Sequence, residues 1–244
     1  MMAREKKIRT GWRKWMYRLV IAGVVFLLLP IPMVLTLAVI QPPTTMVMLG
    51  RTLDRLIDHS KPSYPRRTIV SREEISPFLR RAVLASEDDR FYLHWGFDLV
   101  EIDNAIEKKK AGGRLRGAST ITQQVAKNIF LWDGRSFIRK GLEAYLTLWL
   151  ELLLSKDRIL DLYLNLAEWG DGVFGAEMAA QKHYGKSAAK LTREEAARLA
   201  AILPSPIRWS PNGPYATTRA AIIMERMQYA APHTESEAKP ASKK

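Results

Sequence analysis

The sequence predicts a mainly α-helical domain preceded by one transmembrane helix, and three observations predict it. Leu19 to Ile40 is a run of 22 residues without a charge. From residue 70 onward, apolar residues recur at three- and four-residue spacing. Few segments alternate with period two and no internal repeat is present, so little sheet is expected. At 244 residues the chain can bury one sizeable core or two small lobes. Cysteine is absent, which excludes a disulfide framework and a thiolate metal site.

As a helix, the 22-residue run is roughly 33 Å long and crosses a hydrocarbon core of about 30 Å. Pro30 and Pro32 in its middle predict a kink, which bilayer helices tolerate where neighbouring groups satisfy the freed carbonyls. A cleaved signal peptide shares this charge pattern, but the apolar run is long and Leu35-Thr36-Leu37-Ala38 is a poor cleavage site. Residues 1–18 hold seven Lys/Arg against Glu5, while only Arg51 and Arg55 follow the span closely. The positive-inside bias therefore assigns residues 1–18 to the cytoplasm, 19–40 to the span, and the rest to the far side of the inner membrane. The net charge of +13 leaves +7 for everything after residue 18, a moderately basic body that favours anionic partners.

Residues 41–67, with Pro42, Pro43, Pro62 and Pro65, read as a juxtamembrane connector holding one amphipathic segment at Met46–Ile57. The domain proper is expected over 68–230. Ser71-Arg72-Glu73-Glu74 is a capping-box match, so a helix is predicted from Ile75 to Ala85, delivering Glu87 at its far end. Residues 87–98 crowd acidic, basic and aromatic side chains into a mixture for which a core helix has no use. A short helix is predicted at Ile102–Lys109, then a basic glycine-rich loop, 110–117, expected to be mobile.

Ser119 to Phe130 sorts on a helix into rows: Ser119, Gln123 and Lys127; Thr120, Gln124 and Asn128; and an apolar row of Ile121, Val125 and Ile129. Ser119 or Thr120 is the expected cap, where free N–H groups can receive a phosphate. A solvated surface would explain the polarity, but a plain surface favours Glu and Lys over this run of Ser, Thr, Gln and Asn. Phe137–Leu154 carries an apolar face wider than a small core needs, which predicts contact with the outer leaflet. Further helices are expected at Arg158–Ala167, Ala176–Tyr184, an Ala-rich stretch to Leu203 opened by the Thr192/Glu195 capping box, and Ala216–Ala230. The tail 231–244 lacks periodicity and is expected to be disordered.

Glu87 beside aromatics and Glu143 on a helix with an apolar flank make a general acid/base pair, since apolar surroundings raise a carboxylate's pKa. Glu143 could equally pair with Arg139 or Lys140 on a helix surface. Ser119, Gln123, Lys127 and Asn128 near a helix start, followed by Arg135 and Arg139, supply an anion cradle. These parts suit a substrate with a hydroxyl or sugar centre to activate and a phosphate to hold, presented at a membrane.

Glu87-Asp88-x-x-Phe91-x-x-His94-x-Gly96-x-Asp98 and Gly117-x-Ser119-Thr120-Ile121-Thr122-Gln123-Gln124-x-x-Lys127-Asn128 resemble the first two motifs of the peptidoglycan glycosyltransferases, glycosyltransferase family 51. Arg139-Lys140-x-x-Glu143 with Leu150-Glu151, then Lys156-x-x-Ile159-Leu160-x-x-Tyr163-Leu164-Asn165, resemble the third and fourth. The match covers about residues 70–210 in the family's order, and one span with nothing after Lys244 resembles the monofunctional biosynthetic branch.

The resemblance implies a lysozyme-like helical lobe facing a smaller membrane-associated jaw. It implies that the 4-hydroxyl of an acceptor lipid II GlcNAc attacks the anomeric carbon of the donor chain's MurNAc, inverting it and expelling undecaprenyl pyrophosphate. Glu87 would be the base, and Glu143 would assist departure or hold a divalent cation, Mg or Mn; no covalent cofactor is implied. Ser119, Gln123, Gln124, Lys127, Asn128, Arg135 and Arg139 would bind substrate, while Asp88, Phe91, His94, Gly96 and Asp98 would frame the site. The implied partners are lipid II, the growing lipid-linked glycan, the membrane, and other proteins of cell-wall synthesis or division, with no nucleic acid.

Three rivals compete. A lysozyme-like fold with a catalytic Glu also serves wall-cleaving enzymes, but these hold no pyrophosphate. An inactive membrane-anchored scaffold would not need Glu87, Glu143 and Lys127 together. Ser187-Ala188-Ala189-Lys190 matches the S-x-x-K of transpeptidases, but no K-T-G follows it.

Overall fold

The structure is a computed structural model that describes residues 2–58, 64–113, 119–134 and 136–229, with side chains from Trp12 onward. The predicted disordered tail, the second half of the glycine-rich loop (114–117) and Arg135 lie outside the described residues. The chain is mainly helical. Helix α1 (Met2–Leu28) is followed, after a break at Leu29, by α2 (Pro30–Leu37), with Pro30 at the first helical position. Pro30 lacks an N–H and its ring crowds the preceding turn, so the helix cannot run through it unbroken. Trp12–Leu37 is long and apolar enough to cross a membrane, with mean hydropathy 2.6 over an 18-residue window. The uncharged stretch within it starts at Leu19, after Arg13, Lys14 and Arg18, and helix ends at Leu37, short of Ile40.

The connector is built into the body. Helix α3 (Met46–Ile57), capped by Thr45, buries Val47 and Met48 against Phe174, and its Arg51 pairs with Glu168 at 3.0 Å. Arg67 donates to the carbonyls of Pro42 and Pro43.

Helix α4 (Pro77–Glu87) starts later than the capping box predicted. Glu74 does accept from the Ser71 N–H at 2.8 Å, but this box closes only a short 3₁₀ turn, Arg72–Glu74. Pro77 cannot donate inside a helix and is suited to its first position, so Ser76 becomes the cap. Then follow α5 (Leu99–Lys110), α6 (Ile121–Phe130), α7 (Phe137–Leu153), α8 (Lys156–Leu166), α9 (Ala176–Tyr184), α10 (Arg193–Ile202) and α11 (Pro214–Arg226).

The core has two joined parts. Helix α10 packs against α4 and α11, and its buried Ala196, Ala197, Ala200 and Ala201 allow the three axes to approach closely. Helix α6 packs between α7 and α8 through Ile121, Val125 and Ile129. Part of the wide apolar face of α7 is covered by the chain's own α2, which lies along it with Val34 and Leu37 buried.

A small sheet was not foreseen. Strands β1 (Arg66–Arg67), β2 (Glu168–Gly170) and β3 (Val173–Phe174) form the order β1-β3-β2, with β1 and β3 parallel and β2 and β3 antiparallel. Each has two or three residues, too short to display an alternating pattern.

Candidate active site

Glu87 is the last residue of α4, where the helix end carries partial negative charge. Its Oε2 accepts from Gln124 Nε2 on α6 at 3.0 Å, and the Ser86 hydroxyl lies 3.4 Å from Oε1. The buried Tyr163 of α8 donates its hydroxyl to Gln124 Oε1 at 3.2 Å, leaving the amide N–H groups to face the carboxylate. Burial pushes the Glu87 carboxyl above the usual carboxylate range; the Gln124 bond and the charge of Arg219 on α11 oppose that rise. Burial and the nearby Glu87 charge likewise keep Tyr163 protonated, as a donor to Gln124 must be.

The segment after Glu87 ties α4 to α6 and α7. Asp88 Oδ2 accepts the Ile121 N–H at 3.0 Å, and its Oδ1 accepts from His94 Nε2 at 2.8 Å. Asp98 caps α5 through the Val100 and Glu101 N–H groups and pairs with Arg90 at 3.1 Å. Phe91 is buried beneath the Lys156 ammonium, 4.5 Å from the ring centroid. Gly96 has φ 75°, and a Cβ there would sit 2.5 Å from Thr147 Cγ2, so only glycine lets this loop close on α7. The Gly96 carbonyl accepts from Thr120 Oγ1 at 2.7 Å. Asp88, His94 and Asp98 lie close enough to resemble a metal cluster, but His94 is bonded to Asp88 while Asp98 caps a helix. They act as braces.

On α6 the polar rows diverge. Thr120 and Gln123 form a capping box, with Gln123 Oε1 accepting the Thr120 N–H at 3.1 Å, and both are buried. The sequence reading set Gln123 on the substrate-facing row; here its carbonyl is committed to the helix start. Gln124, Lys127 and Asn128 are half-buried on the open side, and Lys127 makes no ion pair among the described residues.

Glu143 lies on α7, buried, with both oxygens taken. Arg139 Nη1 donates to Oε2 at 2.9 Å and Lys140 Nζ to Oε1. Lys140 also reaches the Ser119 hydroxyl at 3.3 Å, bringing the start of α6 beside Glu143. Glu151, one further buried acid of α7, is held by Lys156 and Thr122, pinning α7 to α6. The structure gathers Glu87, Gln124, Lys127 and Asn128 around one face of α6, and Ser119, Arg139 and Glu143 around its start. Sequence reasoning assigned no site role to Tyr163 or Arg219. Both act across the fold, and neither sits at a spacing that ties it to Glu87.

A desolvated carboxylate held by a neutral amide, and a second carboxylate bound by two cations, sit on a helical body preceded by a stretch long and apolar enough to cross a membrane. The family model described as Transglycosylase matches residues 53–228. The chain belongs to that transglycosylase family. It is 50% identical over 199 residues to the biosynthetic peptidoglycan transglycosylase of Pseudomonas entomophila, covering 81% of this chain and 84% of the relative. The protein of the same name from Pseudomonas aeruginosa is 48% identical over 83% of this chain and 88% of its own. That from Xylella fastidiosa is 43% identical over 91% and 92%.

Proposed function

We propose that the chain polymerises lipid II into linear glycan strands of peptidoglycan, by inverting transfer to the GlcNAc 4-hydroxyl. Glu87 takes the hydroxyl proton, the oxygen attacks the anomeric carbon of the donor MurNAc, and the bond to undecaprenyl pyrophosphate breaks with its electrons. The observation that carries this reading is the line Tyr163, Gln124, Glu87. It holds a desolvated carboxylate in place with no cation at ion-pair distance among the described residues. Such a group has a pKa moved toward the working pH, as a base requires.

Lys127, Arg139 and Lys140 receive the pyrophosphate, with Ser119 and Asn128 as neutral partners and Arg135 as a further cation. Glu143 holds Arg139 and Lys140 in place for that task. The Mg or Mn considered at Glu143 would have to displace two cations already bonded to its oxygens, so no step is routed through a metal. A wall-cleaving enzyme has no use for this cationic side.

The domain works on the outer face of the inner membrane, with the amino terminus in the cytoplasm. The exposed Leu93, Trp95 and Leu99, beside the braced loop, support a membrane-dipping jaw that meets the lipid substrate. Labelled lipid II given to the full-length protein should yield glycan polymer. Failure to polymerise, or shortening of preformed glycan, would overturn the reading.

A further inference from the structure

The anchor meets the body through polar contacts at its own weak points. Pro30 has no N–H, so the Phe26 carbonyl, four residues earlier, lacks its helical donor. Tyr145 of α7 reaches that place. Its hydroxyl lies 2.7 Å from the Phe26 carbonyl oxygen and 2.8 Å from that of Leu27. Its ring stacks on Phe26, with centroids 5.4 Å apart and planes inclined by 13°. At the other end of α2, Arg158 Nε of α8 donates to the Leu37 carbonyl at 2.7 Å. Between these two bonds Val34 and Leu37 are buried.

Apolar packing alone would hold two helices together at many rotations, whereas a hydrogen bond to a particular carbonyl selects one. Within a bilayer the freed carbonyl has no water to turn to, which strengthens that selection. Tyr145 stands two residues after Glu143 on the same helix, so its bonds fix the span relative to the helix that carries Glu143.

We infer that Tyr145 and Arg158 are positioning residues that lock the membrane span to α7 and α8, so that the helix break before Pro30 is held against the body and sets the height and tilt of the site over the bilayer. This rests on the proposed polymerase reading, because height matters only for a substrate held in the membrane by its lipid.

The cysteine-free chain permits a clean test. Spin labels at Val20→Cys on α1 and Ala221→Cys on α11, both exposed, report the distance between span and body in lipid nanodiscs. The otherwise unaltered chain should give one narrow distance, and Tyr145→Phe with Arg158→Gln a distribution about twice as broad. In bilayers this pair of changes should lower lipid II polymerisation about thirtyfold, the size of two lost hydrogen bonds. With a short-chain lipid II analogue in detergent, activity should stay within about twofold of wild type. Pro30→Ala restores an N–H to the Phe26 carbonyl, so adding Tyr145→Phe to it should cost less than in wild type. An unchanged distance distribution, or equal losses in bilayer and detergent, would overturn the lock. A wild type inactive in both media would remove the polymerase reading, and the distances would still decide the lock.

Discussion

Glu87 and Glu143 are the same side chain in opposite settings. Glu87 is tied to α6 through Gln124, and Glu143 to the residue before that helix's cap, through Lys140 to Ser119. Glu87 is desolvated and faces a neutral amide; Glu143 is buried between two cations. The first setting disfavours charge and prepares a group to accept a proton. The second pairs the carboxylate with Arg139 and Lys140 and makes it a holder of cations. Type and burial do not separate their roles; partners do.

The largest expected effect breaks the pair on the Glu87 side. Glu87→Gln should lower polymerisation about 10²- to 10⁴-fold, measured with labelled lipid II. It should also stabilise the fold. Because the folded pKa lies above the unfolded one, folding favours the protonated form. That contribution is complete below the unfolded pKa and is lost as pH rises through the folded value. The melting temperature of Glu87→Gln should therefore exceed that of wild type at pH 8 and converge on it in acid.

Glu143→Gln should do the opposite to stability. It leaves the half-buried Arg139 without its counter-charge; allowing for the half-exposed Lys140, the cost is about 1–3 kcal/mol by denaturant unfolding. Gain of stability there would erase the contrast. Next, Gln124→Leu removes the donor that favours ionised Glu87, so the acid limb of the rate profile should move to higher pH, with about a tenfold loss at neutral pH. Tyr163→Phe should give the smallest effect, a loss of about threefold in the same direction, because it only frees the amide to turn.

What the sequence made legible was local. The capping box at Thr192/Glu195 was readable because both partners lie within one turn, whereas the one at Thr120/Gln123 was missed because the polar row suggested a substrate face for Gln123. Pairing of Glu143 with Arg139 and Lys140 was legible from helical spacing. Pro77 overruled the Ser71 box because a missing N–H at the helix start outweighs a cap one turn earlier. The remainder depended on distant partners. Tyr163 meets Gln124 across 39 residues, Tyr145 meets Phe26 across 119, and β1 finds β3 with only two residues of pattern. The width of α7's apolar face was visible, yet no rule of periodicity could say that α2 would cover part of it.

The most direct test is the pH dependence of lipid II polymerisation by the wild type and by Gln124→Leu. The account predicts a wild-type acid limb above the usual carboxylate range, displaced further upward by the substitution. A limb where an ordinary exposed glutamate titrates, or one that Gln124→Leu leaves in place, would contradict Glu87 as the desolvated base.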